Sequence, residues 1–128
     1  MEQPKITGQY RNKSGHIEMS LLLKGWKDEE TGFYFLYSPA LDLTGYGETM
    51  ELASKSLRIT LDEFVKYTHK KKTIFDELEQ LGWMVNRKKK RVQAPDEEHL
   101  MRESKVFRNL QNMMGVSNME QDFHLQLA

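Results

Sequence analysis

The sequence predicts an α+β fold: an antiparallel three-stranded meander, a long helix, a short helix and a fourth strand, then a C-terminal helix–strand appendage. Three observations predict it. Ile17, Met19, Leu21 and Leu23 alternate with Glu18, Ser20 and Lys24, the period-2 pattern of a strand with one buried face. Met50, Ala53, Leu57, Leu61 and Phe64 recur at three- and four-residue spacings, the pattern of an amphipathic helix. Pro39, Gly82 and Pro95 punctuate the chain where one pattern gives way to the next.

The elements follow in order. After the first strand, Lys27-Asp-Glu-Glu-Thr-Gly32 is rich in turn formers and suits a hairpin connection. Phe33 to Tyr37 (FYFLY) reads as a second strand, its aromatics suited to a pleated, packed surface. Pro39 ends it, and Leu41 to Thr44 offers a short third strand. Thr49 is the expected N-cap of the main helix, which runs to about Thr68, with Glu51 complementing the dipole of its first turn. Thr73-Ile-Phe-Asp76 has the form of a capping box, and Gly82 stops a short helix over 74–81. Trp83 to Val85 restarts extended structure, and Pro95 closes the basic stretch that follows. Asp96 then caps a helix whose Leu100, Phe107, Leu110 and Met114 share a face and which ends at Gly115. A terminal strand over Gln121–Leu127 completes the chain. The expected division is residues 1–94 as the α+β domain and 95–128 as the appendage.

Bulk properties bound the function. At 128 residues the chain suits one compact domain. Lysine plus arginine equals aspartate plus glutamate at 19 each, which argues against a surface built wholly for nucleic acid. The absence of cysteine excludes disulfides, thiolate metal sites and cysteine nucleophiles. No apolar run approaches the roughly 20 residues of a membrane span. The polar N-terminus carries no apolar core of a secretory signal. The expectation is a soluble, cytoplasmic protein that contacts no membrane.

Motifs with chemical potential are few. Gly45-Tyr-Gly-Glu-Thr-Met50 places two glycines before a helix N-terminus, where backbone N–H groups can hold an anion. It lacks a Walker lysine, a complete G-x-G-x-x-G and a βαβ context. The favoured reading is a turn needing positive φ, with Thr49 as the cap. Glu18, Asp42, Glu48, Glu51 and Asp62 are the raw material for a two-metal nuclease, but no pair has a diagnostic spacing. His16, His69, His99 and His124 are scattered and form no ligand spacing. The sequence calls for no catalytic residue, metal or cofactor. Lys70, Lys71 and Lys72, with Arg87, Lys88, Lys89, Lys90 and Arg91, could contact phosphates beside Tyr67 and Trp83. Lysines on a protected sheet edge explain the same runs. Met113 and Met114 suit gaps in a core or an interface.

Leu52 and Ile59 lie seven residues apart, roughly opposite the main apolar face of the long helix. With Phe123, Leu125 and Leu127 of the terminal strand, they are candidate contacts of a homo-oligomer, dimeric or higher. That strand would pair with a sheet edge of the same or a neighbouring subunit.

The run from Phe33 to Ala53, FYFLYSPALDLTGYGETMELA, resembles the signature of HicB-type antitoxins. There a strand "Y-x-A-x-x-P" precedes "G-(D/E)-T-x-E-E-A" at the start of a long helix. Pro39 matches the proline, Gly47-Glu48-Thr49 the glycine–acid–threonine, and Glu51 and Ala53 the helix start. Leu52 replaces the second acid. The resemblance covers about 16–85 and implies a truncated RNase H-like fold without the nuclease carboxylates. It makes Pro39, Gly45, Gly47 and Thr49 a structural corner. It further implies a bacterial toxin–antitoxin system in which a non-enzymatic oligomer occludes HicA, a small basic mRNA-cleaving toxin. Many relatives add a C-terminal ribbon-helix-helix or helix-turn-helix that binds DNA. The helix-then-strand tail expected here departs from that pattern. The rival reading is a small nucleic-acid-binding regulator that uses the two basic runs.

Overall fold

A computed structural model describes residues 7–11, 16–89 and 91–126. The α+β class holds: one antiparallel sheet with helices on both of its faces. Its spine is a strand the sequence makes unusually long, His16–Lys27, which follows a short strand Thr7–Arg11; these are β2 and β1. Ile17, Met19, Leu21 and Leu23 are each no more than 2% exposed, so the alternation seen in the sequence is one buried face of β2. β3 (Tyr34–Ser38) and β4 (Leu43–Gly47) complete the meander. The turn before β3 closes through Gly32 at φ 76° and an Asp28 carboxylate that accepts from Thr31 Oγ1 at 2.7 Å. The third strand begins two residues later than expected. Ala40 and Leu41 are buried within the turn after Pro39, and Asp42 adopts a left-handed φ of 55°.

The long helix α1 (Met50–Lys70) starts at Thr49, whose Oγ1 accepts from Leu52 N at 3.1 Å. Its core face is Ala53, Leu57, Leu61, Val65 and Thr68, with Met50 and Phe64 partly buried beside it. The glycine expectation needs correcting. Gly45 and Gly47 lie inside β4 without positive φ, a conformation that here belongs to Gly32, Gly82 and Gly115. They matter for space. A Cβ on Gly45 would fall on the backbone of Ala53 and Leu57, and one on Gly47 would stand 2.6 Å from Leu52 Cβ. The corner is a helix laid directly on a strand.

α2 (Ile74–Gln80) ends before Gly82 at φ 94°, as the sequence predicts. The expected capping box does not form. Thr73 sits near φ −112°, ψ 4°, not the extended geometry of an N-cap, and its side chain makes no capping bond. Trp83 is buried, and its indole N–H donates to Ala40 O at 2.7 Å, tying α2 to the β3–β4 turn. β5 (Met84–Asn86) and β6 (Arg91–Gln93) form a hairpin, and β6 pairs antiparallel with β1.

The predicted third helix is two: α3 (Glu97–Glu103) and α4 (Lys105–Gln111). Ser104 between them is extended, and its hydroxyl accepts from Phe107 N at 3.1 Å, which starts a new helix in mid-pattern. The last strand, β7 (Ser117–Gln126), begins four residues earlier than expected. Its register runs from His16↔Gln126 to Gly25↔Ser117 along β2. Residues 16–19 of β2 pair with both β1 and β7, and residues 24–25 with both β3 and β7. A strand has two edges, so β7 lines one edge while β1 and β3 share the other at opposite ends. Phe123 and Leu125 are 0% and 2% exposed within the main core. The 95–128 segment is therefore no separable appendage, because its strand completes the sheet and the core. α3 and α4 seat Leu100, Phe107 and Leu110 on the face away from α1, around a cavity shared with Leu22, Pro39 and Ala40.

Two substitutions test this packing. Gly45→Ala is expected to lower stability by about 3 kcal/mol or more, since the methyl meets backbone that cannot swing aside. Gly32→Ala, in open space, is expected to lose about 1 kcal/mol from its positive φ. Equal losses in denaturant unfolding would contradict the contact of α1 with β4. Among the described residues the fully buried Ser38 hydroxyl has no hydrogen-bond partner. Ser38→Ala is expected to raise stability by up to about 1 kcal/mol, and a lower melting temperature would count against that.

Candidate interaction surfaces

α1 leaves Leu52 and Ile59 46% and 61% exposed, Leu52 beside Gly47 at the end of β4. They remain available to a second subunit. Phe123 and Leu125 do not, because both are spent on the chain's own core. Leu127 lies outside the described residues. Arg58 of α1 donates to His124 O at 3.0 Å, so the helix also fastens the outer edge of β7.

The basic runs divide. Lys70 ends α1, and Lys71 and Lys72 follow in an exposed turn, Lys72 at φ 60°. Lys71 Nζ stands 4.8 Å from the Tyr67 ring centre, and its bond to the phenol raises its pKa. Arg87, expected to be free for phosphate, is held by α2. It bonds Asp76 Oδ1 at 2.8 Å and Glu79 Oε1, and lies 5.6 Å from the Phe75 ring centre. Asp76 first, then Glu79, raises its pKa. Lys88 and Lys89 occupy the exposed turn, Arg91 opens β6, and Lys90 lies outside the described residues. Trp83, expected to stack on bases, is buried.

The scattered acids and histidines find separate local roles. Glu18 lies across the strands from His124, Oε1 to Nδ1 at 3.5 Å. Asp62 pairs with Lys66 at 3.0 Å one turn along α1. Asp42 Oδ1 accepts from the Tyr37 hydroxyl at 2.6 Å. Burial, then that bond, pushes the phenol well above its ordinary pKa. His99 packs over Gly82, where any Cβ would strike its ring. Glu48 and Glu51 are exposed at the start of α1, and the side chain of His16 is outside the description. Among the described residues no three histidine or acidic side chains converge as metal ligands. No helix among them is long and apolar enough to cross a membrane.

Two features escape sequence reasoning. Lys24 is 4% exposed, on the side of β2 covered by α4. Its ammonium bonds Asn118 Oδ1 at 2.6 Å and Gln111 Oε1 at 3.3 Å, and stands 5.2 Å from the Phe107 ring centre. It borders a cavity of about 460 Å³ whose rim includes Asp96, Glu97 and Glu120. Desolvation lowers its pKa, opposed by Glu97. Nothing in the strand alternation separates this lysine from a solvated one, since its cover comes from residues 107–118. The second feature is a row of aromatic rings across three strands. Trp26 stacks on Phe35 with centroids 5.6 Å apart, Phe35 on Tyr46 at 6.0 Å, and Phe33 lies 6.2 Å from Tyr46. The FYFLY run carries half of this signal, and strand register supplies the rest.

No family model, no curated protein and no solved structure matches this chain.

The buried ammonium makes stability pH-dependent. Its folded pKa lies below the unfolded value near 10.5, because burial penalises the charged form. The unfolded state holds the extra proton between the two values, so this group's contribution to stability rises with pH across that window. Lys24→Met removes the effect. The stability of the native protein relative to Lys24→Met should therefore rise from below pH 10.5 up to it, and a flat difference would refute the assignment.

Proposed function

We propose that the chain is a non-enzymatic HicB-like antitoxin, or an antitoxin-derived protein-interaction module. It acts as a homo-oligomer that binds and occludes a small, basic HicA-type mRNA-cleaving toxin. The observation that carries this reading is the corner between β4 and α1. Of the residues that bear the resemblance, Gly47-Glu48-Thr49, Glu51 and Ala53 lie where a meander of β2, β3 and β4 passes into α1, and Pro39 lies in the turn between β3 and β4. Gly45 and Ala53 are there in direct contact, and Thr49 caps the helix. The order of three antiparallel strands and a long helix supports the finer description, a partial RNase H-like fold. The tail runs helix, helix, strand, with its strand inside the sheet, so the proposal assigns it no operator-binding role. The nucleic-acid alternative loses support at Arg87 and Trp83, which the fold engages elsewhere.

A pull-down from host lysate with the tagged chain tests the reading. The expected result is a stoichiometric small basic protein whose RNA cleavage stops when the purified chain is added. Recovery of the chain by itself would defeat the antitoxin assignment. Salt-dependent RNA affinity lost on changing Lys70, Lys71, Lys72, Lys88 and Lys89 to glutamine would favour the regulator instead. Replacing both Leu52 and Ile59 with lysine is expected to lower the oligomer mass in light scattering, and an unchanged mass removes them from the interface.

A further inference from the structure

The stacked rings form a platform on the sheet face opposite α1. Trp26, Phe35 and Tyr46 are register partners on β2, β3 and β4. Their chain neighbours Gly25, Leu36 and Gly45 point the other way, against α1 and the core. In the next row along this face Phe107 covers Lys24. Tyr46, by contrast, is 58% exposed. Because Ser117 pairs with Gly25, the connection from α4 brings Met113 and Met114, 43% and 94% exposed, to the same end of the sheet. Exposed aromatic side chains are a mark of a binding surface, and exposed methionines adapt to what docks beside them.

Charge narrows the occupant. Between Trp26 and Glu48 the chain carries five carboxylates, Asp28, Glu29, Glu30, Asp42 and Glu48, against one lysine. That lysine, Lys27, stands over Tyr34 with its ammonium 5.8 Å from the ring centre, one register position beyond the Trp26–Phe35 pair. Asp42 serves Tyr37, while Glu29, Glu30 and Glu48 are exposed. Aromatic rings beside lysines would suit stacked bases, but this acidic setting repels a phosphate backbone. A second copy docked face to face would set acid against acid.

We propose that this platform docks an arginine-bearing segment of a protein partner. A guanidinium lies flat on an aromatic face, drawn by the ring quadrupole, and its fork of N–H donors reaches a neighbouring carboxylate. Trp26, Phe35 and Tyr46 supply the faces, and Glu29, Glu30 and Glu48 the carboxylates. The inference rests on the proposed function insofar as the partner is a basic protein, and it names the surface that receives it.

The test uses the full chain and a synthetic peptide of alternating arginine and glycine, with lysine and glutamate versions as controls. Calorimetry measures affinity, and the Trp26 indole resonance reports the place of binding. The arginine peptide is expected to bind, the lysine version more weakly and the glutamate version not at all. Tyr46→Ser, at an exposed side chain, should lower affinity about fivefold. Glu29→Gln with Glu30→Gln should lower it and flatten its salt dependence. No binding at low salt would overturn the proposal, as would an unaltered Tyr46→Ser affinity or self-association that Tyr46→Ser abolishes. A chain that captures a toxin undiminished by Tyr46→Ser sinks the docking site and spares the antitoxin reading. Peptide binding without any captured toxin does the reverse.

Discussion

The contact of α1 with β4 at Gly45 is the constraint on which the rest of the structure depends. A helix usually stands off a sheet by the length of its side chains, but here backbone meets backbone at Ala53 and Leu57. That closeness buries the small Ala53 completely and sets Leu57, Leu61 and Val65 over the odd-numbered face of β2. It also brings Ser56 to the rim of the sheet, where its hydroxyl accepts from Tyr46 N at 3.2 Å. An edge strand normally presents unpaired N–H groups that invite another chain. α1 occupies one of them. Leu52 and Ile59 stay outside the core all the same, Leu52 beside Gly47 at the end of β4 and Ile59 more exposed still.

β2 carries the second constraint. Its odd-numbered residues build the core under α1, while its even-numbered residues meet a different environment at each step. Ser20 bonds Asp122, Glu18 faces His124, and Lys24 is roofed by α4. β7 runs beside all of them. The C-terminal segment thus does two jobs at once: Phe123 and Leu125 fill the core, and Asp122 and His124 satisfy polar groups on the other face. The first long strand of the sheet is completed by the last one, a long-range pairing of the kind that slows folding.

The legible parts of the fold are those fixed by local chemistry. Alternation located β2, three- and four-residue spacing located α1, and Thr49 and Gly82 marked helix ends, since each depends on neighbours in sequence. What escaped the sequence reading depends on partners far along the chain. β1 is short and polar, and it becomes a strand because β2 and β6 flank it. Ser104 interrupts an unbroken apolar period because its hydroxyl finds Phe107 N. Phe123 and Leu125 read as interface residues in the sequence, and the ten-residue register with β2 places them in the core instead. At the candidate surfaces the same division holds. Leu52 and Ile59 were readable from helix phase, whereas the aromatic row needed the registers of two strand pairs.

Zero net charge conceals an uneven surface, and the unevenness bears on function. The basic stretch Arg87–Arg91 is partly answered within the fold, since Asp76 and Glu79 take the Arg87 guanidinium; an exposed ion pair of this kind adds little stability but keeps one cation turned inward. The acidic stretch around Glu29 and Glu48 receives no such answer from a described lysine or arginine in the ion pairs of the fold. Around the aromatic rings, carboxylates that the fold leaves unanswered favour a cationic protein over a polyanion. The aromatic rings add what charge cannot: area that gains free energy when covered, at low entropy because stacking already fixes the rings. Rigid aromatic area framed by such carboxylates is a surface suited to strong binding of few partners, which is what the proposed function would require of it.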